Sequence, residues 1–167
     1  IDKARGENRY NCKSIEKNIE FVFSELDSKK VDLLKSNVKF FISNCEEVNG
    51  CRRCVYKCSI INYDFNALFH HPKTQRILNS SSIGKFVLLD QYGFKEVNED
   101  IFRELIDFPK TDFIFFISSS FIKRFKEHDN TKRYIDTERI SFDERKPNEC
   151  HRVIAEYFRQ LIPHGKE

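Results

Sequence analysis

Lys85-Phe-Val-Leu-Leu-Asp90 is a continuous apolar run closed by an acid, and Asp112-Phe-Ile-Phe-Phe-Ile-Ser118 is a second. Each reads as a strand buried on both faces, the signature of a parallel sheet. Between them Asn98 is a plausible N-cap, with Glu99 and Asp100 in the first turn of a helix. Its buried stripe would be Ile101, Leu105 and Phe108, and Pro109 ends it. Strand, helix, strand is a βαβ unit. Downstream, Ser119 or Ser120 can cap a helix carrying Phe121, Ile122 and Phe125. A last helix runs from Asn148 to Ile162, with Val153, Ile154, Tyr157, Phe158 and Leu161 on one face and Pro163 as its stop. Upstream, Val38–Ser43 (VKFFIS) and Cys58–Asn62 (CSIIN) read as short strands. From Asn11 to Leu26, Ile15, Ile19, Val22, Phe23 and Leu26 recur at helical spacing. The expected fold class is α/β, a parallel sheet with flanking helices, in one domain spanning 1–167 with a Cys-rich hairpin inserted at 44–58.

The chain has 167 residues, the length of one ordinary domain. Apolar residues make up 40%, enough to fill a core and to exclude global disorder. No stretch approaches the roughly 18 apolar residues of a membrane span. Lys plus Arg is 29 against 26 Asp plus Glu, a mixed surface rather than a nucleic-acid footprint. No apolar h-region opens the chain, so the six cysteines are expected reduced, in a cytoplasmic setting. Methionine is absent and residue 1 is Ile. Either the natural start lies upstream of it or modified methionines were dropped from the string.

In parallel sheets, ligands sit beyond the carboxyl ends of the strands. Asp64 and Phe65 follow one strand; Asp90, Gln91, Tyr92 and Gly93 follow the next. An acid beside an aromatic suits an adenosine-like ligand, the carboxylate taking a hydroxyl or exocyclic amine and the ring stacking on the base. The competing reading is that both acids cap the following helices and the aromatics pack.

LLDQYGFKEV, then FPKTDFIFFISSSFIKRFKEH, then CHRVIAEYFRQLIP, resembles the three-Cys-motif partner protein family, over most of residues 58–163 and most strongly over 86–128. The resemblance implies a Rossmann-like, class I methyltransferase-like fold that binds S-adenosylmethionine. It also implies a three-Cys-motif protein encoded nearby as partner. In such folds an acid after the second strand holds the cofactor ribose, and Asp2 stands where that acid would be. Asp64-Phe65 matches the adenine-contacting position. Asp90-Gln91-Tyr92-Gly93 matches the loop after the fourth strand, assigning Asp90, Gln91 and Tyr92 to the second substrate. The chain departs from the pattern at two points. No Pro follows Asp90, unlike the Asp/Asn-Pro-Pro-Tyr loop of amino-methylating relatives. The glycine-rich cofactor loop and the last strands are also missing, so the chain reads as the middle of a domain whose strand edges need another chain, a partner or a second copy, to cover them.

Cys45, Cys51, Cys54 and Cys58 are spaced C-x5-C-x2-C-x3-C. The C-x2-C pair lets two thiolates converge on one ion, and four cysteines could close a tetrahedral zinc site. Arg52, Arg53 and Lys57 would favour thiolates. The alternative is reduced cysteines packed as small hydrophobes. A non-catalytic domain that docks a metalloprotein, with zinc in this cluster, is therefore the second functional expectation. A third is nucleic-acid processing in a defence or mobile-element setting, resting on Lys123, Arg124, Lys126, Lys132 and Arg133, though Glu127, Asp129 and Asp136 dilute that face. His70-His71-Pro72 reads as a solvated turn more readily than as metal ligands, and Ser118–Ser120 as a cap more readily than as a phosphate site. No G-x-S-x-G elbow occurs.

Overall fold

A computed structural model describes residues 19–49, 57–90, 95, 98–142 and 149–165, the side chains of 45–49 excepted. The chain is mixed α/β, with two parallel two-stranded sheets and flanking helices. It divides into two compact units, Ile1–His70 and His71–Glu167. Among the described residues no helix is long and apolar enough to cross a membrane.

In the first unit, β1 (Glu20–Glu25) pairs in parallel with β2 (Lys57–Asn62), from Glu20 opposite Lys57 to Glu25 opposite Asn62. Helix α1 (Ser28–Asn49) joins them and packs on both strands. Asp27 starts α1: its Oδ1 accepts from the Lys29 N–H at 2.9 Å and its carbonyl from the Val31 N–H at 2.9 Å. Two expectations are corrected here. Residues 20–25 form a strand, not the end of a helix, because Phe21, Phe23 and Glu25 point to the half-buried face and Val22 and Ser24 away from it. That is the two-residue alternation of a strand. Val38–Ser43 lies inside α1 rather than in a strand. The wider window explains this: Val31, Leu34, Val38 and Ile42, spaced by 3, 4 and 4, are buried or half-buried while Phe40 and Phe41 face solvent.

Two short helices follow β2. Asp64 caps α2 (Phe65–Phe69), and in the second unit His71 caps α3 (Pro72–Leu78), whose first residue is proline. The second unit then builds β3 (Lys85–Leu89), α4 (Glu99–Asp107) and β4 (Thr111–Phe115). The strands pair in parallel with Leu89 opposite Phe115. This is the βαβ unit expected from the sequence, with its cap in place: Asn98 Oδ1 accepts from the Ile101 N–H at 3.0 Å. Ile101, Phe102 and Leu105 are buried, as is Phe108 just beyond the helix. Past Pro109, Lys110 takes a φ of 49°, a left-handed turn that brings the chain back into β4.

After β4 come α5 (Ser119–Arg124), α6 (Asp129–Lys132), a 3-10 turn (Thr137–Arg139) and α7 (Cys150–Gln160). Ser118, rather than Ser119 or Ser120, occupies the cap of α5, and its side chain makes no capping bond. An aromatic cluster forms one layer of this unit's core, beside buried Leu and Ile side chains. Phe102 of α4 lies edge-on to Phe113 and Phe115 of β4, both at 5.6 Å between centroids, and to Phe158 of α7 at 4.8 Å. Ile154, Tyr157, Phe158 and Leu161 are buried, the face expected for the last helix.

Among the described residues the β3–β4 sheet is covered on one face only. Val87, Leu89, Phe113 and Phe115 turn inward, while Phe86, Leu88, Ile114 and Phe116 remain 63%, 58%, 49% and 56% exposed. The expectation of strands buried on both faces therefore fails among the described residues, because α4 and α7 both stack on the Phe113–Phe115 side.

Candidate functional site

Parallel pairing aligns the strand ends within each unit. In the first unit the carboxyl edge carries Glu25, Asn62, Tyr63 and Asp64. Asn62 ties the edge together: its Nδ2 donates to the carbonyls of Glu25 at 2.8 Å and Leu26 at 2.7 Å. Ser24 Oγ donates to the Tyr63 carbonyl at 2.9 Å. The turn after β1 is therefore held against the turn after β2 by three side-chain bonds, which orders the backbone next to both acids.

Asp64 accepts the Ala67 N–H at 3.0 Å through Oδ1, the helix-capping role foreseen as its alternative reading. Its Oδ2 has no partner among the described residues. Phe65 is half-buried and packs on Phe69 at 5.6 Å. Glu25 escaped notice in the sequence, being counted near the end of a helix. Its Oε1 accepts the Asp27 N–H at 2.9 Å, and Oε2 has no partner among the described residues. The signal was present: Glu25 ends an alternating apolar–polar run, the position at which a strand-end acid is sought. Each acid thus keeps one carboxylate oxygen open, with its partner oxygen fixed by a backbone N–H. That arrangement can accept a hydroxyl or an amine.

In the second unit Asp90 follows β3, is exposed, and has no hydrogen-bond partner among the described residues. The ladder continues one bond beyond the strands, Phe116 N–H to the Leu89 carbonyl at 3.1 Å, which places Asp90 beside the Phe116–Ser118 backbone. Near the carboxyl end of β4 lies a groove of about 410 Å³ between Phe113, Phe115 and Ile117 on one side and His151, Ile154 and Phe158 on the other. Ser119 Oγ and Cys150 Sγ meet at its rim at 3.5 Å. The lining is mainly apolar and aromatic, with Ser119, His151 and Arg159 as its polar members.

Asp2, Gln91 and Tyr92 lie outside the described residues. So do Cys51 and Cys54; Cys45 falls in the last part of α1, with its side chain undescribed, and Cys58 in β2. The segment 44–58 thus begins in a helix and ends in a strand. Cys58 is a free, half-buried thiol whose pKa burial pushes up. Among the described residues no three His, Cys, Asp or Glu side chains group around a point. His70 and His71 do separate local work: His70 Nδ1 is bonded to the Asn66 carbonyl at 2.8 Å, and His71 Nδ1 accepts the Lys73 N–H at 3.2 Å. On the basic face, Lys126 and Lys132 both reach Glu127, at 4.0 and 3.4 Å.

No family model, no curated protein and no solved structure matches the chain.

Proposed function

We propose that the chain is a three-Cys-motif partner protein whose Rossmann-like, methyltransferase-like domain binds S-adenosylmethionine. The observation that supports this reading best is the pair of acids, Glu25 and Asp64, on the adjacent carboxyl ends of two parallel strands, each with one oxygen open among the described residues. Glu25 replaces Asp2 as the ribose acceptor, since it ends the strand directly paired with the one before Asp64. Asp64 takes the adenine amine, with Phe65 beside it. Asp90, Gln91 and Tyr92 serve the second substrate at the end of β3. The cofactor would supply a transferable methyl group. What the chain supplies is orientation: two carboxylates held by backbone N–H groups lose little freedom when a ligand arrives.

Titration calorimetry with S-adenosylmethionine and its demethylated product tests the reading. Saturable heat for either, weakened about tenfold or more in Glu25→Gln through the loss of a charge-assisted bond, is expected. Absence of heat for both contradicts cofactor binding.

A second reading, a non-catalytic domain that docks a three-Cys-motif metalloprotein, draws support from the apolar face of Phe86, Leu88, Ile114 and Phe116. In that reading Cys45, Cys51, Cys54 and Cys58 hold zinc. Metal analysis of anaerobically purified protein separates the two: about one zinc per chain, with no cofactor heat, favours docking.

A further inference from the structure

Away from the strand ends, α7 and the 3-10 turn before it enclose a second groove, of about 630 Å³, within the size range of small-molecule sites. Its lining mixes apolar and polar groups and carries three guanidinium groups, from Arg139, Arg152 and Arg159, against one carboxylate, Glu156. Ser141 and Gln160 add neutral hydrogen-bonding groups.

The three arginines are held differently. Arg139 lies over the ring of Tyr157, 5.7 Å from its centroid, and has no carboxylate partner among the described residues. Tyr157 is itself buried, so the ring is a fixed platform that orients the guanidinium fork at little entropic cost. Arg152 pairs with Glu149 at 3.8 Å, and Arg159 with Glu156 on the same helix. Both pairs are exposed, and such pairs contribute little and exchange readily. Arg152 and Arg159 are seven residues apart, roughly 10 Å along the helix, so the positive groups span more than one anionic centre.

We propose that this groove binds a small phosphate ester with at least two phosphoryl groups, such as a nucleoside diphosphate. The guanidinium fork matches phosphate oxygens two at a time, and Arg139 is the preorganised anchor. A nucleic-acid strand fits less well. It needs a basic stripe, whereas here Glu149 and Glu156 interrupt the charge.

The probe is a fluorescent N-methylanthraniloyl ADP, followed by anisotropy at low salt. Inorganic pyrophosphate should displace it and adenosine should not. Arg139→Gln should weaken binding about tenfold or more, whereas Glu156→Gln, which removes the competing carboxylate, should strengthen it about two- to threefold. No binding, undiminished binding in Arg139→Gln, weakened binding in Glu156→Gln, or displacement by adenosine alone would overturn the proposal. A twelve-nucleotide single strand that competes more than tenfold better than pyrophosphate would also overturn it, in favour of a nucleic-acid ligand. Because Arg139 and Glu156 are both exposed, neither substitution opens the core.

Discussion

Tyr157 shows how one side chain ties distant parts of the second unit together. Its hydroxyl donates to Glu99 Oε1 at the start of α4 and accepts the Asp136 N–H at 3.1 Å, while that N–H also reaches Glu99 at 3.2 Å. Burial first, and the bond to Glu99 second, push the phenol pKa well above its usual value. A group whose folded pKa is raised contributes stability that is complete below its unfolded pKa, about 10, and is lost as pH rises through the folded value. Tyr157→Phe should therefore cost about 1–3 kcal/mol at pH 7 and flatten the decline of stability above pH 10. Urea unfolding at pH 7 and 10.5 checks both; an equal loss at the two pH values contradicts the linkage. Nothing in the sequence pointed to this contact, because Glu99 and Tyr157 are 58 positions apart. The capping role of Asp64 was legible as one of two readings, since capping is local. The open oxygen of Glu25 was not, because its role depends on which strand lies beside it.

At the level of elements, what the sequence revealed follows from how local the cause is. The βαβ unit over residues 85–115 could be read directly: its helix has a cap, an acidic first turn, an apolar stripe and a proline stop, all within a dozen residues. The last helix could be read for the same reason. The two misreadings occurred where short windows are ambiguous. VKFFIS is rich in strand formers, yet the apolar spacing from Val31 to Ile42 is helical, and the longer pattern prevails. In residues 20–26 the opposite happened: helical spacing borrowed from Ile15 and Ile19 masked the alternation of Phe21 to Glu25. The contacts of Phe102 predict the energetics of this layer. It touches both β4 rings and α7, so Phe102→Ala should destabilise the chain by about 3–5 kcal/mol, read from thermal or urea unfolding. A loss below 1 kcal/mol would mean that the aromatic layer is not the core of this unit.

Over the chain as a whole, the buried apolar side chains are unequally divided. Among the described residues of the first unit Val31 and Phe69 are buried, whereas the second unit buries apolar side chains in α4, α5, α7 and the segments between them. The α/β class was legible because strands and helices alternate along the chain; the one-sided covering of the β3–β4 sheet was not, because a continuous apolar run looks the same whether one face or both are packed. The first unit nonetheless holds the acids on which the proposed cofactor binding rests. Hydrogen–deuterium exchange of the chain with and without S-adenosylhomocysteine interrogates those positions directly. Slowed exchange at residues 25–27 and 62–67, the turns that carry Glu25 and Asp64, is the predicted result. Unchanged exchange there at saturating ligand, or protection found only elsewhere, would contradict a cofactor site at the ends of β1 and β2.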